Sequence, residues 1–359
     1  MGKAKEQHYV PQFHLRAFAS DKNEKCINVY NLNRKESFEN VPIKGQGKKP
    51  YLYGKNNGVE VRLGKIEGLL ASSFKQIVQS GAIGQEHIDL ILLFINLSFI
   101  RTYQTISDLL GTTSEAQEVM KRNNPELRRM IDSFDFSSEV VGELVLSAVE
   151  KAWINSLDLK IALIQNTTNK DFITSDSPAS RYNFYLEKKE YPLGPTAITM
   201  AGVCAFVPLT PRILAVAYDD DIMEIIKNEI DEIEDVDTVN KIQVLNAGDS
   251  VFCQNSESCV AIREYLSAVE TYRGNERYQV QSLEDIKANN GNSLRRQMGE
   301  SLAAKLPSHG FVAAWGNNYA NLSCNFLKIK PDKIDMEISE NPLRPYCFSV
   351  KDKSKKLPF

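Results

Sequence analysis

Paired-cysteine motifs, long apolar runs and an excess of one charge sign are all missing from this 359-residue chain. Its six cysteines, Cys26, Cys204, Cys253, Cys259, Cys324 and Cys347, include no C-x-x-C pair, which argues against an ordinary zinc knuckle. The chain is not the short, cysteine-dense type that disulfides hold together, so scattered reduced thiols are expected. The most apolar stretch, Ile88 to Ile100, is interrupted by Asp89, Asn96 and Ser98. It falls short of the roughly 20 residues a bilayer span requires. No apolar segment follows the charged start MGKAKEQH, and Glu6 stands where N-myristoylation needs Ser or Thr. A cytoplasmic protein with no membrane partner is the expectation. Lys and Arg number 43 against 46 Asp and Glu, a net charge of -3. That balance argues against an obligatory DNA-coating protein and leaves any nucleic-acid or nucleotide contact to local arginines and lysines.

What is present is an ordinary globular composition, 42% hydrophobic and 25% charged. Residues 26–32 (CINVYNL) read as a strand, turned at 33–36 into a second strand over 37–42. Gly45, Gly47 and Pro50 mark a loop. Leu63, Ile66, Leu70, Phe74 and Ile77 then recur at helical spacing. Further helical patterns follow over about 85–110, 115–134 (interrupted at Pro125) and 139–157. The pattern returns to strands at 159–165 and 171–175, read as a hairpin, and at 204–209 and 213–218. A helix over 237–247, a short strand at 251–253 and a helix over 258–269 complete the regular part. Strand-like pieces recur at 311–315 and 322–329, and the end KDKSKKLPF reads as a basic tail. The fold expected is α+β: a mixed, mainly antiparallel sheet with a bundle-like helical insertion at about 62–157. Residues 1–255 form one unit, and 256–359 a C-terminal extension or small lobe.

Two of the four histidines, His8 and His14, sit in QHYVPQFHLRAFA. Pro11 blocks a continuous helix there and presents His8 separately from the following turn. A neutral imidazole at His8 suits a general base or a metal ligand as well as it suits a hydrogen bond to a buried backbone group, whereas His14 better suits the structural role. In FITSDSP an apolar strand delivers Asp176 to its end, where a carboxylate can hold a metal, orient an imidazole or close a turn. Pro208 and Pro211 frame a rigid turn that projects Arg212 toward phosphate or carboxylate, with Asp176 as its simplest structural partner. Glu67 and Arg101 are charges inside apolar patterns and must be paired or functional. Asn240 and Asn246, six apart on one predicted helix, suit packing or capping.

QHYVPQFHLRAFA, LGKIEGLLASSFKQIV, the apolar helix ending IRT, FITSDSPA, VPLTPR and the Asn240 helix occur in that order. Together they resemble the prokaryotic domain-of-unknown-function family 4238 over roughly residues 6 to 255. The resemblance implies an intracellular prokaryotic protein and nominates His8, Pro11, Glu67, Arg101, Asp176, Pro178 and Asn240 as motif positions. It brings no activity with it. His-Tyr-Val-Pro also resembles the opening of HNH nucleases, but no second ligand histidine follows on a nearby helix. The resulting expectation is a metal-assisted phosphodiesterase or nuclease of a bacterial defence or toxin-like system. His8 would act as base, Glu67 and Asp176 would hold Mg²⁺ or Mn²⁺, and Arg101 would stabilise phosphate charge. Arg212, His14, Arg16 and Asn240 would contact the nucleic acid or nucleotide. The alternative is a non-enzymatic sensor or protein-interaction module in which the same polar residues form a structural network.

Overall fold

A computed structural model describes residues 6–55, 58–123, 125–133, 138–191, 194–273, 278–288, 311–315, 319–338 and 342–349. The basic tail lies outside them. The centre of the molecule is a five-stranded sheet. Its strands are β5 (Lys160–Asn166), β7 (Ser180–Tyr182), β8 (Cys204–Thr210), β9 (Ile213–Tyr218) and β11 (Glu229–Ile230), in the order β11-β5-β9-β8-β7. All its pairings are antiparallel except β11 with β5. Side chains on a strand alternate between faces, and here both faces are buried. Cys204, Phe206, Leu214 and Val216 enter one core, while Ala205, Val207, Ala215 and Ala217 enter another. Burial on both sides is why β8 and β9 read as continuous apolar runs rather than alternating ones.

The helices on one side are α2 (Gly58–Ser80), α3 (Gln85–Ile100), α4 (Tyr103–Asn123) and α6 (Ser138–Ile154). Helix α2 buries Leu63, Ile66, Leu70, Phe74 and Ile77, the face that its sequence spacing marks. Helix α3 is buried almost all round from Ile91 to Ser98, as its uniform hydrophobicity requires. The single helix expected over 85–110 is in fact two. Thr102 Oγ1 accepts from the Thr105 amide (3.0 Å) and caps α4, and the α3–α4 pair bends by 57°. No single helix among the described residues is long and apolar enough to cross a membrane.

On the other side lie α8 (Ile233–Asn246), α9 (Ser256–Val269) and a four-stranded antiparallel sheet. That sheet contains β2 (Cys26–Asn31), β3 (Glu36–Pro42), β6 (Thr174–Ser175) and β12 (Ser250–Cys253) in the order β3-β2-β12-β6. The β2–β3 hairpin forms as its sequence predicts. The hairpin expected between 159–165 and 171–175 does not. Strand β5 pairs with β9 and β11, while β6 crosses to β12. The reason is a side chain: Asn240 accepts from the Ile173 amide (3.0 Å) and donates to the Asp171 carbonyl (3.0 Å), so this backbone is satisfied without a neighbouring strand.

The N-terminal strand β1 (Glu6–His8) pairs with β4 (Lys48–Pro50), and the short helix α1 (Gln12–Arg16) follows Pro11. The Gly47 carbonyl accepts from both Tyr9 and Val10. A Cβ at Gly47 would lie 2.6 Å from Val10 Cβ, and its φ is +58°, so glycine is required for this approach.

Cys253 and Cys259 are joined in a disulfide rather than lying as free thiols. The turn from β12 into α9, capped by Asn255 on the Ser258 amide, brings their Cα atoms to 6.2 Å. The hydrophobic cluster on the α8 side also runs across residue 255, taking in Ile262, Leu266, Phe326 and Leu327.

Candidate functional site

Segment 171–181 threads between the two sheets, and helix α8 holds it with three amide side chains at three-residue spacing. Side chains at i and i+3 share a helix face. Asn240 bonds Asp171 and Ile173 as above. Gln243 accepts from Ser175 Oγ (3.1 Å) and donates to the Pro178 carbonyl (3.1 Å). Asn246 accepts from the Arg181 amide (3.3 Å) and donates to the Arg181 carbonyl (3.1 Å). Within this segment Asp176 is fully buried, and its carboxylate accepts from the amides of Gly248 (2.7 Å), Asp249 (2.7 Å) and Ser250 (3.1 Å). Burial raises its pKa, against the opposing pull of those three amides. A Cβ at Gly248 would lie 3.0 Å from Asp176 Oδ2, so that turn is closed against its carboxylate.

The ladder ends at a cavity of about 500 Å³ between α3, α4, α6 and the 176–181 and 245–249 segments. Arg181 projects into its lining. Its guanidinium stacks on Phe99, with Cζ 3.9 Å from the ring centroid, and Nη2 donates to Asn96 Oδ1 (3.0 Å). Nε is buried with no hydrogen-bond partner. Among the described residues no carboxylate forms an ion pair with Arg181. Desolvation, with repulsion from Arg344, pushes its pKa down to about 9. Its neighbour Arg344, also fully buried, is compensated by Asp158 at 2.8 Å. Among the described residues Arg181 is thus the buried cation without an ion pair. Sequence reasoning missed it. The signal was available: Arg181 lies among Ala179, Tyr182, Phe184 and Tyr185, a charge in apolar surroundings of the kind that drew notice to Glu67 and Arg101.

A second cavity of about 320 Å³ is lined by His8, Gln12, Phe13, Arg16, Glu60 and Glu67, with Gly68 and Ala71. Desolvation lowers the His8 pKa, partly offset by hydrogen bonding to the Lys44 backbone. Gln12 Nε2 meets His8 Nε2 at 3.2 Å, and Arg16 donates to Gln12 Oε1 at 3.4 Å. As an amide donor, Gln12 makes His8 Nε2 the acceptor nitrogen of a neutral ring. Arg101 is fully buried beneath this cavity. It donates to Glu67 Oε1 (2.7 Å) and to the carbonyls of His8 (3.2 Å) and Tyr9 (2.8 Å). Burial opposes its charge, but Glu67, Tyr53 and Glu60 outweigh that and raise its pKa. Arg101 therefore fixes the partition between the cavities, since His8 lines one and Tyr9 the other.

A family model described as "Protein of unknown function (DUF4238)" matches residues 6–257. The chain belongs to that family. No curated protein and no solved structure matches it. The DUF4238 match spans both cavities, the α8 ladder and the 248–250 turn, and ends inside α9. Glu67 and Asp176 line different cavities. Among the described residues no group of three or more His, Cys, Asp or Glu side chains is placed to hold a metal ion. His14 is fully buried, bonds Thr174 Oγ1 at 2.8 Å, and burial pushes its pKa down to about 3. Arg212 pairs with Asp171 (3.2 Å) and with the Thr168 carbonyl, not with Asp176. Arg16 faces solvent at the rim of the His8 cavity, and Asn240 is committed to backbone.

Proposed function

We propose that this DUF4238 protein is a ligand-binding module, the sensor-like of the two expected functions, and that its cavity takes a small organic anion on Arg181. The observation that carries this is a fully buried guanidinium, on a residue that lines a cavity, with a buried Nε that has no hydrogen-bond partner and a neutral amide in place of a counter-ion. Leaving a buried cation uncompensated is costly, and an unsatisfied buried donor calls for an explanation. A bound anion supplies one for both. The α8 ladder supports the same reading, because Asn246 fixes the Arg181 backbone and so preorganises the guanidinium. The test is thermal melting of the full chain in sodium salts of organic anions at constant ionic strength. At least one salt is expected to raise the melting temperature with concentration, and the rise should vanish in Arg181→Met. Salts that leave the wild type unmoved, or move both proteins alike, would refute the reading.

A second reading places phosphodiester hydrolysis, of the defence or toxin-like kind, at the His8 cavity. It is favoured by the neutral imidazole beside Arg16, Glu60 and Glu67. Incubation with DNA, RNA and cyclic nucleotides in Mg²⁺ or Mn²⁺ tests it. Cleavage that survives His8→Ala, or no cleavage at all, sinks it.

A further inference from the structure

Resting on the anion-binding reading, we infer that the ligand of the Arg181 cavity is a monocarboxylate with an apolar body. Among the described lining residues Arg181 is the sole cation, whereas Asp108, Asp176 and Asp249 bring three carboxylates. A phosphoryl dianion would enter among like charges with one guanidinium to compensate it. Phosphate sites instead gather several cations or converging backbone amides. Converging amides do exist at this wall, those of the lining residues Gly248 and Asp249 and of the adjoining Ser250, but Asp176 occupies all three. One anionic charge is therefore what the site can neutralise.

The rest of the wall selects the body. Phe99, Ile100, Leu109, Val145, Ala148 and Ile198 contribute apolar side chains to the same lining. With Phe99 covering one face of the guanidinium, its remaining donors lie at the edge, where a planar carboxylate accepts in the guanidinium plane. A volume of about 500 Å³ suits a small-molecule ligand. Aliphatic and aromatic acids share this chemistry.

The test is isothermal titration of the full chain, wild type and Arg181→Met, at constant ionic strength. The probes are decanoate below its micelle concentration, 3-phenylpropionate, decanol, AMP and inorganic phosphate. We expect one or both acids to bind, to weaken at least tenfold in Arg181→Met, and to exceed AMP and phosphate at least tenfold. Decanol should bind the two proteins equally. Preference between the acids assigns the aliphatic or the aromatic source. Arg181→Lys, which keeps the charge but loses the planar fork, should fall between, and it replaces Arg181→Met if circular dichroism shows that variant unfolded. AMP or phosphate binding more tightly than both acids, and through Arg181, would overturn the carboxylate assignment while leaving an anion cavity. Absence of Arg181-dependent binding by every anion would overturn both.

Discussion

Replacing Arg181 by methionine should leave the protein as stable as the wild type or more so. Truncating a buried residue ordinarily destabilises, but this one sits at an energetic deficit. A guanidinium that burial pushes from its ordinary value down to about 9 carries about 5 kcal/mol of unfavourable interaction in its charged form, at roughly 1.4 kcal/mol per pH unit. Methionine removes that cost. Lost in exchange are the charged hydrogen bond to Asn96, about 1.5–3 kcal/mol, and the stacking on Phe99, about 1–2 kcal/mol. The methionine side chain retains much of the packing against Phe99, being unbranched and adaptable. The balance leaves the variant between even and about 2.5 kcal/mol ahead, which corresponds to a melting temperature unchanged or raised by a few degrees for a protein of this size. Paired melts by calorimetry and urea titration at pH 7, without added ligand, measure it. A fall of 5 °C or more would refute the reasoning, because it would mean that Arg181 is fully compensated within the fold and held there for structure. A stabilising substitution that abolishes ligand binding would place Arg181 among residues kept for function at a cost in stability.

The other predictions concern the framework. Asp176→Ala orphans three buried amides at the 248–250 turn and should cost about 3–5 kcal/mol, read as a fall of roughly 10 °C in a thermal melt; an unchanged melt would show that the carboxylate is not what closes the turn. Arg101→Met strips the donor from Glu67 and from two backbone carbonyls, an expected loss of about 3–5 kcal/mol. Glu67→Gln keeps an acceptor but removes the charge that faces a fully buried guanidinium, so it should also cost about 3 kcal/mol, and a loss below about 1 kcal/mol would show that Glu67 is not what compensates Arg101. His14 has a folded pKa of about 3, below its unfolded value of 6.5, so the unfolded chain binds the extra proton between those limits. Its contribution to stability is present above pH 6.5 and is lost as pH falls toward 3, about 2 kcal/mol by pH 5. Urea midpoints of wild type and His14→Gln at pH 7 and 5 isolate it, and parallel pH slopes would contradict it.

Local patterns carried much of the architecture into the sequence. The face of α2 from Leu63 to Ile77 follows from periodicity, and the β2–β3 hairpin and strands β8 and β9 from short runs of β-forming or apolar residues about a turn, because each is decided by side chains close in the chain. The break at Thr102 was not legible, since an apolar pattern continues through it and one hydroxyl cap ends the run. Nor was the partner of β6. Asn240, Gln243 and Asn246 take up the backbone of 171–181 from a helix more than sixty residues away, and nothing near Thr174 records that.

The candidate sites divide along the same line. Spacing determined that Glu67 and Arg101 must each be paired or functional, because charge among apolar residues is expensive wherever it occurs, and it marked His8 and Asp176 as groups that could serve chemistry or structure. Only tertiary structure decided which. It supplied Arg101 with Glu67 and two carbonyls, supplied Asp176 with three amides, and left Arg181 facing a cavity with a neutral amide. Whether a buried charge is compensated depends on atoms brought together from distant parts of the chain, and that is information a linear pattern does not hold.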